Sequence, residues 1–281
     1  MTAKQITVIS SRRAWFDLDF RHLWRYRDLL ALFAARDIKV RYKQTLLGPA
    51  WLIIQPLALT VALTAVVNGV AGISTGGHPA PLFYLTALVL WSYFSQVVLT
   101  TSQVFIVNGH LFSKVYFPRI IVPVSSLVSS GVALLIQLCV AIAFLVYYVW
   151  IGKVDGISWR LALFPLVILQ LAAFSLAVGL CLGASTAKYR DMAHMTPFLL
   201  QIGMFVTPII FPFSAIPERY RVLTGLLNPL AVIIDQGRWC FSTEESISAT
   251  PIIAALAATA AILVLGVLAF QRVERTAMDT I

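Results

Sequence analysis

The stretch Arg36-Asp37-Ile38-Lys39-Val40-Arg41-Tyr42-Lys43-Gln44-Thr45-Leu46-Leu47-Gly48-Pro49-Ala50-Trp51-Leu52-Ile53-Ile54-Gln55-Pro56 joins a dense basic segment to the first long apolar run. Four of its first eight residues are Lys or Arg. As a helix over 36–45, it puts Arg36, Lys39 and Lys43 at i, i+3 and i+7, one stripe of positive charge with Arg41 nearby. Such a helix suits a lipid headgroup layer, with its basic face toward anionic phosphates and its apolar side chains below. Gly48-Pro49 then breaks the direction, because Pro disfavours helix in the residue before it and suits the first turn of the next helix. Trp51 falls at the depth an indole prefers, and hydrocarbon follows. Two readings of the stripe stay open on physics alone. It recruits anionic headgroups, or it is the positive anchor that precedes a membrane helix whose N-terminus is inside.

Working outward, the composition excludes a soluble domain. Of 281 residues, 59% are hydrophobic and 12% charged, against about 25% charged in an ordinary soluble chain. The net charge of +9 does not point to nucleic acid, because ten of the 21 Lys and Arg precede residue 44. A membrane surface is the simpler partner. Residues 1–28 carry scattered charges and no apolar core, so no secretory leader is expected there. Cys139, Cys181 and Cys240 lack ligand spacing and read as small hydrophobes, with no metal or redox role.

Six spans are predicted, at about 50–71, 82–107, 118–150, 160–187, 193–213 and 250–271. Backbone groups in hydrocarbon must be satisfied within the segment, so each is helical. The third stretch has 33 residues, nearer 50 Å of helix than the ~30 Å of a bilayer core. It tilts or projects. With the N-terminus inside, cytoplasmic segments hold sixteen Lys and Arg and outer segments five, so both termini are predicted to be cytoplasmic. The segment 214–249 is external on this count, yet Val222–Leu227 and Leu230–Ile234 are apolar and broken by Asn228-Pro229. Short helices dipping into the bilayer fit that pattern better than a lid lying flat outside. The expected fold is therefore all-α and integral to the membrane: six transmembrane helices, an N-terminal amphipathic interfacial helix and short re-entrant helices before the last span. Residues 1–47 form the interfacial segment and 48–281 the permease domain, re-entrant at about 214–249.

The spans lack Asp, Glu, Lys and Arg in their central parts, and no G-x-x-x-x-G-K-[ST] phosphate loop is present. A carrier coupled to protons or sodium usually needs an embedded ionisable site. Energy is then expected from a partner, and the contact should be cytoplasmic. Between spans two and three, 108–119 packs Leu111, Phe112, Val115, Tyr116 and Phe117 with His110, Lys114 and Arg119 into a short amphipathic piece bounded by Gly and Pro. It reads as a protein interface or as a headgroup-level aromatic belt. Tyr84 and Trp91 share one helical face with Phe94 three residues on, and Phe198 and Phe205 repeat the spacing of seven. Aromatic faces can stack on sugar rings, while Ser92, Ser95, Gln96 and Gln103 add hydrogen-bonding capacity. Lipid-facing or packing stripes have the same pattern.

The run RDIKVRYKQTLLGPAWLIIQP resembles the entry segment of the membrane subunit of bacterial ABC-type polysaccharide exporters, the type-2 permeases of O-antigen, capsule or teichoic-acid chains. Thr207-Pro208-Ile209-Ile210-Phe211-Pro212 through Ile216-Pro217-Glu218 to Asn228-Pro229-Leu230 resembles that family's segment between its last two spans. The resemblance implies a transport subunit without enzymatic activity or cofactor of its own, with ATP and Mg on a separate nucleotide-binding ATPase. It implies a homodimer in the bacterial inner membrane that moves lipid-linked polysaccharide, with no nucleic acid involved. It implies headgroup recruitment by Arg36, Lys39, Arg41 and Lys43, with the carrier's pyrophosphate as the target. ATPase docking would fall to His110, Leu111, Phe112, Lys114, Tyr116, Phe117 and Arg119, with a conduit past Tyr84, Trp91, Phe94, Phe198 and Phe205. Two rivals are a type-2 permease for drugs or simple lipids and a membrane enzyme acting on polyprenyl-linked sugars. The enzyme would need clustered carboxylates or His at a membrane face, which the chain lacks.

Overall fold

The structure is a computed structural model that describes residues 26–43, 45–112, 114, 117–242 and 248–276. Among these residues every regular element is helical. The N-terminal part of the expected interfacial segment, residues 1–25, lies outside them. The helices are α1 (Arg27–Tyr42), α2 (Trp51–Leu63, continued by the π-helical Thr64–Val70), α3 (Ala80–Ser102) and the short α4 (Val104–Val107) and α5 (Gly109–Phe112). They continue with α6 (Ile121–Trp150), α7 (Phe164–Lys188), α8 (Met192–Val206), α9 (Glu218–Leu227), α10 (Pro229–Cys240) and α11 (Ala249–Thr276).

Among the described residues, five helices are long and apolar enough to cross a membrane: Gly48–Val70, Ala80–Ser102, Ile121–Trp150, Trp159–Lys188 and Ala249–Glu274. They correspond to the first four and the last of the expected spans. The expected fifth, 193–213, is a helix of only 15 residues, about 22 Å at 1.5 Å per residue. Proline explains the difference. Thr207 precedes Pro208 and is extended (φ −84°, ψ 139°), as the proline ring demands of its neighbour. The second span also ends early, because Gln103 leaves helical geometry (φ −98°, ψ 6°) and 104–107 form a separate short helix. The third retains 30 residues, about 45 Å of helix.

Helix α3 is the centre of the bundle, touching α2, α6, α7, α8 and α10. Tyr84, Leu85, Leu90 and Val97 on it are fully enclosed. Between helices in lipid there is no hydrophobic drive, so close approach and hydrogen bonds hold the bundle. Gly179 and Gly183 of α7 supply the approach. A Cβ at Gly179 would lie 2.7 Å from Thr101 Cβ, and one at Gly183 2.9 Å from the Thr101 carbonyl oxygen. Gly266 does the same where α11 crosses α7, 2.7 Å from the Ala177 carbonyl oxygen. These small residues let backbones touch where any side chain would wedge them apart. Thr101 and Ser126 hydroxyls, 3.0 Å apart, join α3 to α6.

At the other end of the chain, α10 is enclosed by α3, α7 and α11. Leu230, Ile233 and Ile234 are buried to 2% exposure or less, although the helix has only 12 residues. Its position depends on tertiary packing, because an isolated helix of that length is marginal.

Candidate functional site

Two features of the sequence, the basic stripe and the 108–119 knob, meet in one assembly. Helix α1 does not lie free. It packs on α6, burying Phe33 and Ala34. Phe33 meets Phe117 at 5.7 Å between ring centroids, and Phe117 meets Phe112 at 5.8 Å. Phe112 meets Phe105 at 6.0 Å, and Phe105 meets Phe270 of α11 at 4.8 Å. A continuous aromatic seam thus runs from the basic helix through the short helices α4 and α5 to the last helix. Tilted ring pairs of this kind favour one arrangement over a sliding contact. Asn108 pins the seam: its amide donates to the Val104 carbonyl at 3.2 Å, and its side-chain oxygen accepts from Arg36 Nη2 at 3.3 Å.

The four cations separate into two roles. Arg36 donates to Asp37 at 2.9 Å and lies over the Phe33 ring at 4.9 Å, so it serves packing and its charge is offset. Lys39 and Lys43 are exposed, and Arg41 is half-buried at the end of α1. None of these three side chains has a hydrogen-bond or ion-pair partner among the described residues. Lys39 and Lys43 therefore face outward from the docked helix, with Arg41 half-buried between them.

Of the residues expected from the sequence to dock an ATPase, His110 and Lys114 are exposed, Leu111 and Phe112 half-buried and Phe117 buried. Arg119 is 8% exposed; it lies over Phe112 at 5.2 Å and Nη1 donates to the Glu274 carbonyl at 3.5 Å. It ties the seam to α11 and is not presented outward. Tyr116 lies outside the described residues. Ile106 and Val107, 47% and 65% exposed, belong to the accessible surface here. The apolar pattern of 82–107 places them in a membrane span, and no residue type near Gln103 announces the break.

The aromatics expected from the sequence to line a conduit also divide. Tyr84, Trp91 and Phe94 are buried inside the protomer, Phe94 stacked on Phe174 at 5.5 Å. Trp91 lies against α8, where a Cβ on Gly203 would sit 3.3 Å from its ring. Phe198 and Phe205 of α8 are 60% and 63% exposed. Trp91 thus backs α8 from within, and the α8 rings are the accessible ones. At its far end α8 is held by Asn228, which donates to Thr207 Oγ1 at 3.2 Å, and by Arg238. The Arg238 guanidinium is 4% exposed and donates to the Pro208 and Ile209 carbonyls at 2.8 and 2.7 Å.

Residues 28–241 match the sequence profile of the ABC-2 type transporter family. The chain is 29% identical over 246 residues to the O-antigen export system permease protein RfbA of Myxococcus xanthus, covering 86% of this chain and 91% of that protein. It is 27% identical over 207 residues to the Klebsiella pneumoniae protein of the same name, 74% and 77% covered. To the polysialic acid transport protein KpsM of Escherichia coli it is 25% identical over 211 residues, 74% and 78% covered. With the profile spanning most of its length on a bundle of apolar helices, the chain belongs to the ABC-2 type transporter family.

Proposed function

We propose that this chain is the membrane subunit of an ATP-driven exporter that moves a lipid-linked, O-antigen-like polysaccharide across the bacterial cytoplasmic membrane. The observation that carries the reading is similarity over nine-tenths of a protein named as an O-antigen export permease. The subunit works as a homodimer, and a separate ATPase pair docks on α4, α5 and the residues that follow. In this reading α8 is the fifth of six membrane segments and α9–α10 form a re-entrant pair. The burial of α10 supports that placement, since 12 residues reach only about 18 Å. The cations Lys39, Arg41 and Lys43 draw the carrier's anionic headgroup to the entry, and Phe198 and Phe205 border the path of the polymer.

The experiment pairs a chain-deletion strain with recovery of the complex. Loss of the chain should leave lipid-linked polymer on the inner leaflet, and re-expression should restore surface polymer. A purified wild-type chain should carry an ATPase subunit with it. Val107→Glu places a charge on the exposed docking surface, where an unpaired buried charge weakens association by tenfold or more. Equal recovery of the ATPase by the variant would place docking elsewhere.

Both termini are cytoplasmic in this proposal. In a background lacking the three native cysteines, Ser74→Cys should react with an impermeant thiol reagent applied outside intact cells, and Lys114→Cys should react only after lysis. Both positions are exposed. The reverse pattern would invert the chain and remove the docking role of 104–119.

A further inference from the structure

Below the Gly48-Pro49 break, α2, α3 and α6 part around a recess of about 250 Å³. Its wall carries Gln55 of α2, Ser92 and Gln96 of α3, and Ser130 and Gln137 of α6. Arg41, at the end of α1, joins the lining. Polar side chains between membrane helices cost free energy unless partnered, so such a concentration calls for an account.

Two of these side chains build the recess. Gln137, 4% exposed, donates to the Leu52 carbonyl at 3.0 Å and reaches Ser92 Oγ at 3.5 Å, which spans the three helices. Others are left over. Ser125, Ser126 and Ser129 of α6 each donate to a carbonyl three residues back, at 2.8, 2.7 and 3.2 Å. Ser130, on the same helix and 1% exposed, has no hydrogen-bond partner. The Gln55 and Gln96 amides and the Arg41 guanidinium likewise bond to no described residue. The free groups therefore comprise a hydroxyl, two amides and one cation. Hydroxyls and amides match a polyhydroxylated ring, and a guanidinium matches a phosphate oxygen pair. Trp51, half exposed on the same lining, offers an aromatic face to C–H groups. The volume equals roughly eight waters at ~30 Å³ each, room for one sugar ring and not for a chain.

We propose that this recess, formed within one protomer, binds a single glycosyl phosphate, its ring among Gln55, Ser92, Gln96 and Ser130 and its phosphate on Arg41. The choice of carbohydrate rests on the exporter reading above. The site itself rests on the unpartnered groups. Two sources share this chemistry, the first sugar of a prenyl-diphosphate carrier and a free sugar phosphate.

The chain in nanodiscs is titrated with three radiolabelled probes: a short-chain prenyl-diphospho-N-acetylglucosamine, N-acetylglucosamine 1-phosphate and the prenyl diphosphate without sugar. The sugar-bearing lipid should bind about tenfold more tightly than the sugarless one, about the worth of one good hydrogen bond made to an otherwise unpaired buried group. Gln96→Leu and Ser130→Val should each remove that tenfold advantage and leave the sugarless probe unchanged. Gln96 is half exposed and bonds to no described side chain, so it decides the matter if the buried Ser130 variant loses its fold. Competition by N-acetylglucosamine 1-phosphate supports the site with a free source, and absence of competition supports it with a lipid-linked source. Unchanged preference for the sugar in Gln96→Leu overturns the proposal, as does an equal loss for the sugarless probe. Polymer export is scored in parallel. A wild-type chain that binds the sugar lipid but restores no export would defeat the exporter reading and leave the recess standing.

Discussion

Replacing Arg238 with Ala is expected to destabilise the bundle by about 3–5 kcal/mol, because several buried carbonyls would be left unpaired at about 1–3 kcal/mol each. The side chain is 4% exposed and lies over the Phe83 ring at 3.6 Å. It donates to the Pro208, Ile209, Phe211 and Phe83 carbonyls at 2.8, 2.7, 3.4 and 3.4 Å. The first three belong to the turn that follows α8, where Pro208 and Pro212 prevent the helix from continuing. Those carbonyls have lost their helical donors, and the guanidinium replaces them. Truncation would leave them dry and unpaired, which costs more than the bonds themselves contributed. Helix α8 feels the loss most, because Thr196 is its sole buried residue. Arg238→Lys should fall between wild type and Ala, since one ammonium cannot reproduce a planar fork. The measurement is thermal unfolding in detergent followed by tryptophan fluorescence. An Arg238→Ala chain that melts with the wild type would show that the outer turn is held by something else.

Reversing Lys39 and Lys43 together to Glu is expected to lower polymer export between tenfold and a hundredfold, with membrane abundance unchanged. Each cation near anionic lipid contributes about 1 kcal/mol, and 1.4 kcal/mol is one decade. Both side chains are exposed and bond to no described residue. Their loss should therefore not disturb the docking of α1, which rests on Phe33, Ala34 and Arg36. Arg36 is the wrong target for this test, because Asp37 already offsets its charge and Asn108 holds its end. The effect should also shrink as salt rises, since exposed charges are screened over about 10 Å at 0.1 M. Lys153→Glu, beyond the opposite end of α6, is the control and should export normally. Export at the wild-type rate by an abundant Lys39→Glu/Lys43→Glu chain would reduce the stripe to a topology signal.

Hydropathy and length alone determined the class of this protein and the five long helices, because a span in lipid must satisfy its own backbone and therefore writes itself as an uninterrupted apolar run. The break at Gly48-Pro49, where Gly48 sits at φ +52°, was equally local and equally legible. So was the basic stripe as a pattern. Elsewhere, apart from the local proline stop of α8, the deciding contacts lie between distant residues. That α8 ends at Val206 follows from Pro208, a signal present in the sequence but overruled by the apolar run beyond it. Arg36 and Lys39 lie on one stripe in the sequence; contact with Asn108, 72 residues away, joins Asp37 and Phe33 in making Arg36 a packing arginine. Tyr84, Trp91 and Phe94 have the spacing of an exposed stripe and lie inside because five other helices surround α3. The polar recess and the Arg238 clamp were hidden for the same reason. Helical periodicity reports which residues share a face, and tertiary packing alone determines what that face meets.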